Sequence, residues 1–77
     1  MNNQSYKERI KVDPDIMLGK PFIKGTRITV ELILRKLSEG MTIEDILKAY
    51  PHITKDDILA AISYSADVIS KEELIAT

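Results

Sequence analysis

The chain has 77 residues, 44% of them hydrophobic and 30% charged, with a formal net charge of −1. This length accommodates one small domain and excludes most large catalytic folds, while the composition excludes a disordered or collagen-like chain. Because there is no cysteine, disulfides and thiolate metal sites are excluded, and we expect dimerisation to support the small core. No run approaches 18 apolar residues and no basic-then-apolar leader opens the chain, which predicts a cytoplasmic protein without a membrane span.

Charge is unevenly distributed along the chain. Residues 1–37 contain eight basic and four acidic side chains, whereas residues 38–77 contain three basic and eight acidic ones. This split indicates that the amino-terminal part faces an anionic partner, and ordinary solvation of the surface is the alternative.

Residues 1–5 are polar and show no periodicity, which predicts a loose terminus. Residues 6–77 are predicted to form one domain. Apolar residues alternate with cations from Tyr6 to Val12, which predicts a half-buried strand with one cationic face. Asp13-Pro14-Asp15 predicts a turn, with a metal site at the two carboxylates as the alternative. The stretch 19–30 is rich in turn residues and predicts short extended pieces.

From Thr29 onward the apolar period changes to about 3.6, which predicts three helices. The first covers about residues 30–39, with Thr29 as its N-cap and Gly40 as its stop. The second begins at Thr42 and is ended by Pro51. The third and longest begins at Thr54 and continues to about residue 70 or beyond.

This layout predicts a mainly α fold: a trihelical, homeodomain-like helix-turn-helix bundle preceded by a short N-terminal β element. Both later helices carry an acid three residues after their threonine, Asp45 and Asp57, where an acid favours a helix start. A helical hairpin with a long third helix and no role on DNA fits the same periodicity.

One string is distinctive, the Gly-Lys-Pro-Phe-Ile-Lys-Gly-Thr-Arg-Ile sequence of residues 19–28. With Gly40-Met41-Thr42, Tyr50-Pro51-His52 and the helix start at 54–57, it resembles the bacterial family called domain of unknown function 433, over roughly residues 9–67. The resemblance implies a small helix-turn-helix protein with a preceding β element. It also implies an antitoxin-like role, because some members are regarded as antitoxins. Each of these is paired with a toxin whose fold is similar to that of the PIN-type nucleases. The family offers no agreed catalytic or metal-binding residues to carry across.

Cations are the candidate contacts to a nucleic-acid backbone, because positive charge on one face adds to non-specific attraction. The candidates are Lys7, Arg9, Lys11, Lys20, Lys24, Arg27 and, in an assisting role, Lys55. The third helix is not expected to read bases, since it contains no Arg, Asn or Gln. Its outward face is predicted to be small and anionic, with Asp56, Ala60, Ser63, Asp67, Ser70 and Lys71.

The apolar arc of the third helix spans about 180°, whereas one packed face requires about 100°. The surplus predicts a homodimer contact, and a helix broadly buried in a small core is the alternative. The candidate dimer residues are Leu59, Tyr64, Val68, Leu74 and Ile75.

No catalytic, metal-binding or cofactor-binding residue is predicted, because His52 is the lone histidine and no cysteine is present. The glycine string at 19–28 lacks the spacing of a phosphate-binding loop. The resemblance implies an antitoxin-like module that neutralises a PIN-like nuclease, and with the absence of catalytic residues we expect this module to be non-catalytic, dimeric and able to bind its own operator DNA. The alternative is a stand-alone DNA-binding transcriptional regulator without a toxin partner.

Overall fold

The computed structural model describes the backbone of residues 3–76 and the side chains of residues 6–71. Two 3-10 helices, Asn3–Glu8 and Met17–Gly19, alternate with two short strands, β1 (Ile10–Lys11) and β2 (Phe22–Ile23). Three helices follow: α1 (Val30–Ser38), α2 (Ile43–Ala49) and α3 (Lys55–Ala76). The predicted mainly α fold with a short N-terminal β element is confirmed.

The two strands form an antiparallel pair, called the ribbon below, in which Ile10 lies opposite Ile23. The predicted strand from Tyr6 to Val12 is therefore too long, because its first residues belong to a 3-10 helix. Arg9 N donates to Tyr6 O at 3.0 Å and closes that helix. The Tyr6 ring packs edge-on against Tyr64 of α3 with a centroid separation of 5.7 Å, a tertiary contact that alternation in the sequence does not encode.

Helix α1 begins where the sequence predicts and ends one residue before the predicted end. Thr29 Oγ1 accepts a hydrogen bond from Leu32 N at 3.1 Å, which satisfies one of the free amides of the first turn. Gly40 has a φ of +98°, which favours glycine and turns the chain away from the helix.

The two Thr-x-x-Asp sequences both form reciprocal caps. In α2, Thr42 N donates to Asp45 Oδ2 at 3.0 Å and Asp45 N donates to Thr42 Oγ1 at 3.1 Å. At the start of α3, Thr54 N donates to Asp57 Oδ2 at 2.9 Å and Asp57 N donates to Thr54 Oγ1 at 3.2 Å. Both helix starts thus follow from local sequence.

The core lies where the ribbon meets the three helices. Its most deeply buried large side chains come one each from β2, α1, α2 and α3, namely Ile23, Ile33, Ile46 and Ile58. These isoleucines join elements distant in sequence, so each stabilises the arrangement of the helices as well as its own element.

The outward face of α3 differs from the small, anionic one predicted. Ala60 is buried, and Asp67 Oδ2 accepts a hydrogen bond from Tyr6 Oη at 2.7 Å. The first 3-10 helix and β1 pack against α3 and supply these contacts. The prediction was wrong for these two residues, because hydropathy assigned both to solvent and did not register the elements that pack on α3, among them Tyr6, the partner of Asp67. Asp56, Ser70 and Lys71 are exposed, as predicted. Within residues 55–71 of α3, the exposed apolar residues are Leu59, Ile62, Ala66, Val68 and Ile69.

Candidate interaction surfaces

An apolar groove of about 620 Å³ runs between α1 and α3 and is open to solvent. Val30 and Leu34 lie one turn apart on α1, and Tyr64 and Val68 lie one turn apart on α3, so each helix contributes one wall. Pro21 and Ile69 complete the apolar lining. This recess, called the groove below, has the shape and chemistry to take an apolar segment of another molecule.

The rim of the groove carries a small charge network on α1. Glu31 accepts hydrogen bonds from Lys20 Nζ at 2.9 Å and from Arg35 Nε at 3.2 Å. The hydrogen bonds from Lys20 and Arg35 hold the pKa of the exposed Glu31 carboxyl below its ordinary value. Glu31 therefore keeps its negative charge to a lower pH than an isolated glutamate does, and the charge network gives the groove a polar border.

A second apolar surface lies on α3. Leu59, Ile62, Ala66 and Ile69 follow one another at intervals of three, four and three residues, and all four are exposed. Such spacing places them in one line along a helix, called the stripe below. Ile69 also lines the groove, so the two surfaces meet at that residue.

Two of the seven candidate cations for nucleic-acid contact are engaged in ion pairs. Arg9 Nη1 lies 3.0 Å from Asp57 Oδ1 and Arg9 Nη2 lies 3.8 Å from Asp56 Oδ2, while Lys20 pairs with Glu31. Among the residues whose side chains are described, the other five have no ion pair: Lys7, Lys11, Lys24, Arg27 and Lys55. The amino-terminal surface is thus less cationic than the sequence predicts.

The backbones of two of the seven candidate cations, Arg9 and Lys24, meet at the end of the ribbon. Lys24 N donates to Arg9 O at 2.8 Å, so the two residues lie opposite each other at the end of the strand pair. Arg9 is turned to the start of α3, where the Asp57 carboxylate receives both the guanidinium and the Thr54 amide. Arg9 thereby acts as a brace between the ribbon and α3, a role that no local signal in the sequence indicates.

The predicted dimer residues fall on two different surfaces. Tyr64 and Val68 line the groove, and Leu59 belongs to the stripe. Leu74 and Ile75 lie outside the residues whose side chains are described.

The turn before β2 contains an exposed residue that the sequence does not single out. Met17, Leu18 and Gly19 have successive φ values of +53°, +58° and +79°, the left-handed region that disfavours residues with a Cβ. Leu18 is 94% exposed, so burial does not offset this conformation. Of these three residues, only Gly19 is of a type that predicts a positive φ from the sequence.

The remaining polar residues form ordinary surface structure. Asp13 Oδ1 accepts a hydrogen bond from Asp15 N at 2.9 Å, which confirms the predicted turn.

Among the described residues, no three His, Cys, Asp or Glu side chains come together as a metal-binding group would require. Across residues 3–76, none of the helices is both long enough and apolar enough to cross a membrane.

The chain is similar to a protein of known sequence and to a solved structure, and it matches a family model. The uncharacterized protein y4eO of Sinorhizobium fredii is 30% identical over 59 residues, or 77% of this chain and 27% of that protein, so the chain spans about a quarter of that relative's length. The crystal structure of a DUF433 member protein from Anabaena variabilis matches with a TM-score of 0.78 and 27% identity, covering 96% of this chain and 74% of that one. The family model described as "Protein of unknown function (DUF433)" matches residues 10–65, from β1 into α3, and this chain belongs to that family.

Proposed function

We propose that this protein is a non-catalytic, antitoxin-like module that binds and neutralises a PIN-like nuclease, with the groove as its docking site. The observation that carries the proposal is the apolar groove of about 620 Å³, whose two walls are fixed by helices anchored in the core. Grooves of this kind take the apolar face of a partner helix, with i, i+3 and i+4 side chains as anchors. The occupant we propose is one such amphipathic helix of the nuclease.

The types of side chain on α3 favour a protein partner over DNA at this helix. A recognition helix contacts base edges with Arg, Asn or Gln, and α3 contains none of them. Exposed Leu59, Ile62 and Ile69 have no hydrogen-bonding groups to offer a duplex. Exposed apolar side chains of this kind are typical of protein contacts.

The class of partner comes from the family resemblance. Neutralisation of a nuclease requires only that the bound module cover or distort the active site, so no catalytic group is needed on this chain. Glu31 and Arg35 line the groove, and their ion pair, joined by Lys20 on Glu31, adds a polar border that fixes the register of the bound helix.

The test is purification of the protein from its native host with identification of associated proteins, followed by binding measurements with the purified nuclease. Val68→Asp places a carboxylate in the groove at a residue that is already 41% exposed, so the fold is preserved. We expect at least a 30-fold loss of affinity for the nuclease and loss of its inhibition. Ala49→Asp, which adds the same charge at an exposed position of α2, is the control and keeps full affinity. A folded Val68→Asp variant with unchanged affinity would overturn the proposal.

A DNA-binding regulator without a toxin partner is the second candidate, favoured by exposed cations at the ribbon and the turn after it. Lys24 and Arg27 are exposed, and neither they nor Lys11 forms an ion pair within residues 6–71. Three phosphate contacts give a slope of about −3 in a plot of log K against log salt concentration. Binding to its own promoter with this slope, lost in a Lys11→Glu/Lys24→Glu/Arg27→Glu variant, would favour the regulator if no nuclease co-purifies.

A further inference from the structure

The stripe on α3 is an exposed apolar line that meets the groove only at Ile69, so the groove does not explain its other three residues. Ile62 is 39% exposed and Ile69 51% exposed, although both lie on the longest helix of a small domain. We propose that the stripe is the contact surface for a second copy of this chain, with the two α3 helices packed antiparallel.

The spacing of the stripe is self-complementary. Its four residues are symmetric about position 64, so a two-fold axis there sets Leu59 against Ile69 of the partner subunit and Ile62 against the partner's Ala66. The large Ile62 thus meets the smallest residue of the stripe, which lets the two helices approach closely. An interface with matching positions on both copies is the kind a symmetric dimer requires.

Charge and the helix dipole set the direction of packing. Lys55 precedes Leu59 by four residues and therefore begins the same line at the positive end of α3. In a parallel pair the two copies of Lys55 would face each other and repel. In an antiparallel pair each Lys55 lies toward the carboxyl end of the partner helix, where the dipole is negative and the sequence contains Glu72 and Glu73.

The flanks of the stripe permit this approach. Ser63 and Ser65 lie on either side of it near the two-fold axis, and both are small and uncharged. Four residues cover less than the roughly 800 Å² per partner of a standard interface, so we expect a dissociation constant in the micromolar range.

The stripe and the groove share Ile69, but other residues separate this inference from the proposed groove ligand. Val68 points into the groove, whereas Ile62 is not among the groove-lining residues. Val68→Asp therefore removes nuclease binding and leaves the dimer, whereas Ile62→Asp removes the dimer and leaves the groove. The failure of one proposal can be told from failure of the other.

Sedimentation equilibrium between 1 and 200 μM provides the first test. We expect the wild type to pass from monomer to dimer over this range and Ile62→Asp to stay monomeric with an unchanged circular dichroism spectrum. Val12→Asp, a matched change at a residue that is 57% exposed in the turn after β1, is the control and dimerises as the wild type does. A wild type that is monomeric at 200 μM, or a folded Ile62→Asp variant that still dimerises, would overturn the proposal.

Cross-linking tests the direction, since the chain has no native cysteine. In the antiparallel pair the two copies of position 55 are about 27 Å apart along the axis at 1.5 Å per residue, beyond the roughly 7 Å that a disulfide spans. We expect no disulfide from Lys55→Cys alone, and a mixed disulfide when Ile62→Cys and Ala66→Cys proteins are combined and oxidised at high concentration. A disulfide-linked Lys55→Cys dimer would instead identify parallel packing and refute the antiparallel arrangement.

Discussion

Buried and exposed positions of α3 have similar hydropathy and opposite surroundings. Ile58 is fully buried against α1, α2 and the ribbon, while Ile62, one turn later and only about 40° further around the helix, is 39% exposed. The buried positions also include an acid, Asp57, and the exposed positions form a line of apolar residues. Burial on this helix is therefore determined by which elements pack on it, and hydropathy alone assigns neither set of positions correctly.

The difference indicates a division of roles along one helix. The buried positions at its start, Asp57 and Ile58, hold the domain together, and the stripe with Ile62 and Ile69 is free to contact partners. Substitutions at the buried positions should cost stability, and substitutions in the stripe should cost association.

The largest effect is expected at Asp57. Asp57→Ala removes the cap of α3 and leaves the Arg9 guanidinium without its closest partner, which we expect to lower the free energy of unfolding by about 3 kcal/mol. Asp45→Ala is the matched control, because it removes the same capping signature at an exposed position without an arginine, and should cost about 1 kcal/mol. Urea denaturation of both variants measures the difference, and equal losses would show that Arg9 adds nothing.

Leu18 provides a second comparison with the stripe. It is an exposed apolar residue outside α3, and its backbone lies in the left-handed region. Leu18→Asn should raise the free energy of unfolding by about 0.5–1 kcal/mol, since asparagine tolerates a positive φ better than leucine does. Thermal unfolding followed by circular dichroism gives the shift in Tm. A decrease in Tm would show that Leu18 makes a stabilising contact.

The smallest effect concerns pH and the exposed cap of α2. Hydrogen bonds from the backbone and hydroxyl of Thr42 hold the pKa of Asp45 below its ordinary value of about 3.9. Because this pKa is lower in the folded state, its contribution is fully present above about pH 5 and is lost as the pH falls through the folded pKa. The Tm advantage of the wild type over Asp45→Asn should therefore shrink steadily between pH 5 and pH 2, and an advantage independent of pH would contradict the assignment.

Much of the fold follows from local signals. The Thr-x-x-Asp sequences at 42–45 and 54–57, together with Gly40 and Pro51, predict the helices to within a residue or two at nearly every described end. These signals work because capping depends on side chains within one turn of the helix end.

What the sequence misses depends on contacts between distant residues. The braces Arg9–Asp57 and Tyr6–Asp67 join positions 48 and 61 residues apart, so neither leaves a periodic trace. The groove likewise exists only because α1 lies beside α3. For the same reason the predicted dimer residues mixed two surfaces, with Val68 in one and Leu59 in the other.

The division of roles on α3 is tested most directly by making one chemical change at a buried position and the same change at an exposed position. Ile58→Ala and Ile69→Ala remove the same atoms from the same helix, and the free energy of unfolding of each is measured over a range of protein concentrations. We expect Ile58→Ala to cost about 3 kcal/mol at every concentration, and Ile69→Ala to cost less than about 1 kcal/mol except where the wild type dimerises. Equal, concentration-independent losses would mean that both positions belong to the core and that α3 has no separate surface for partners.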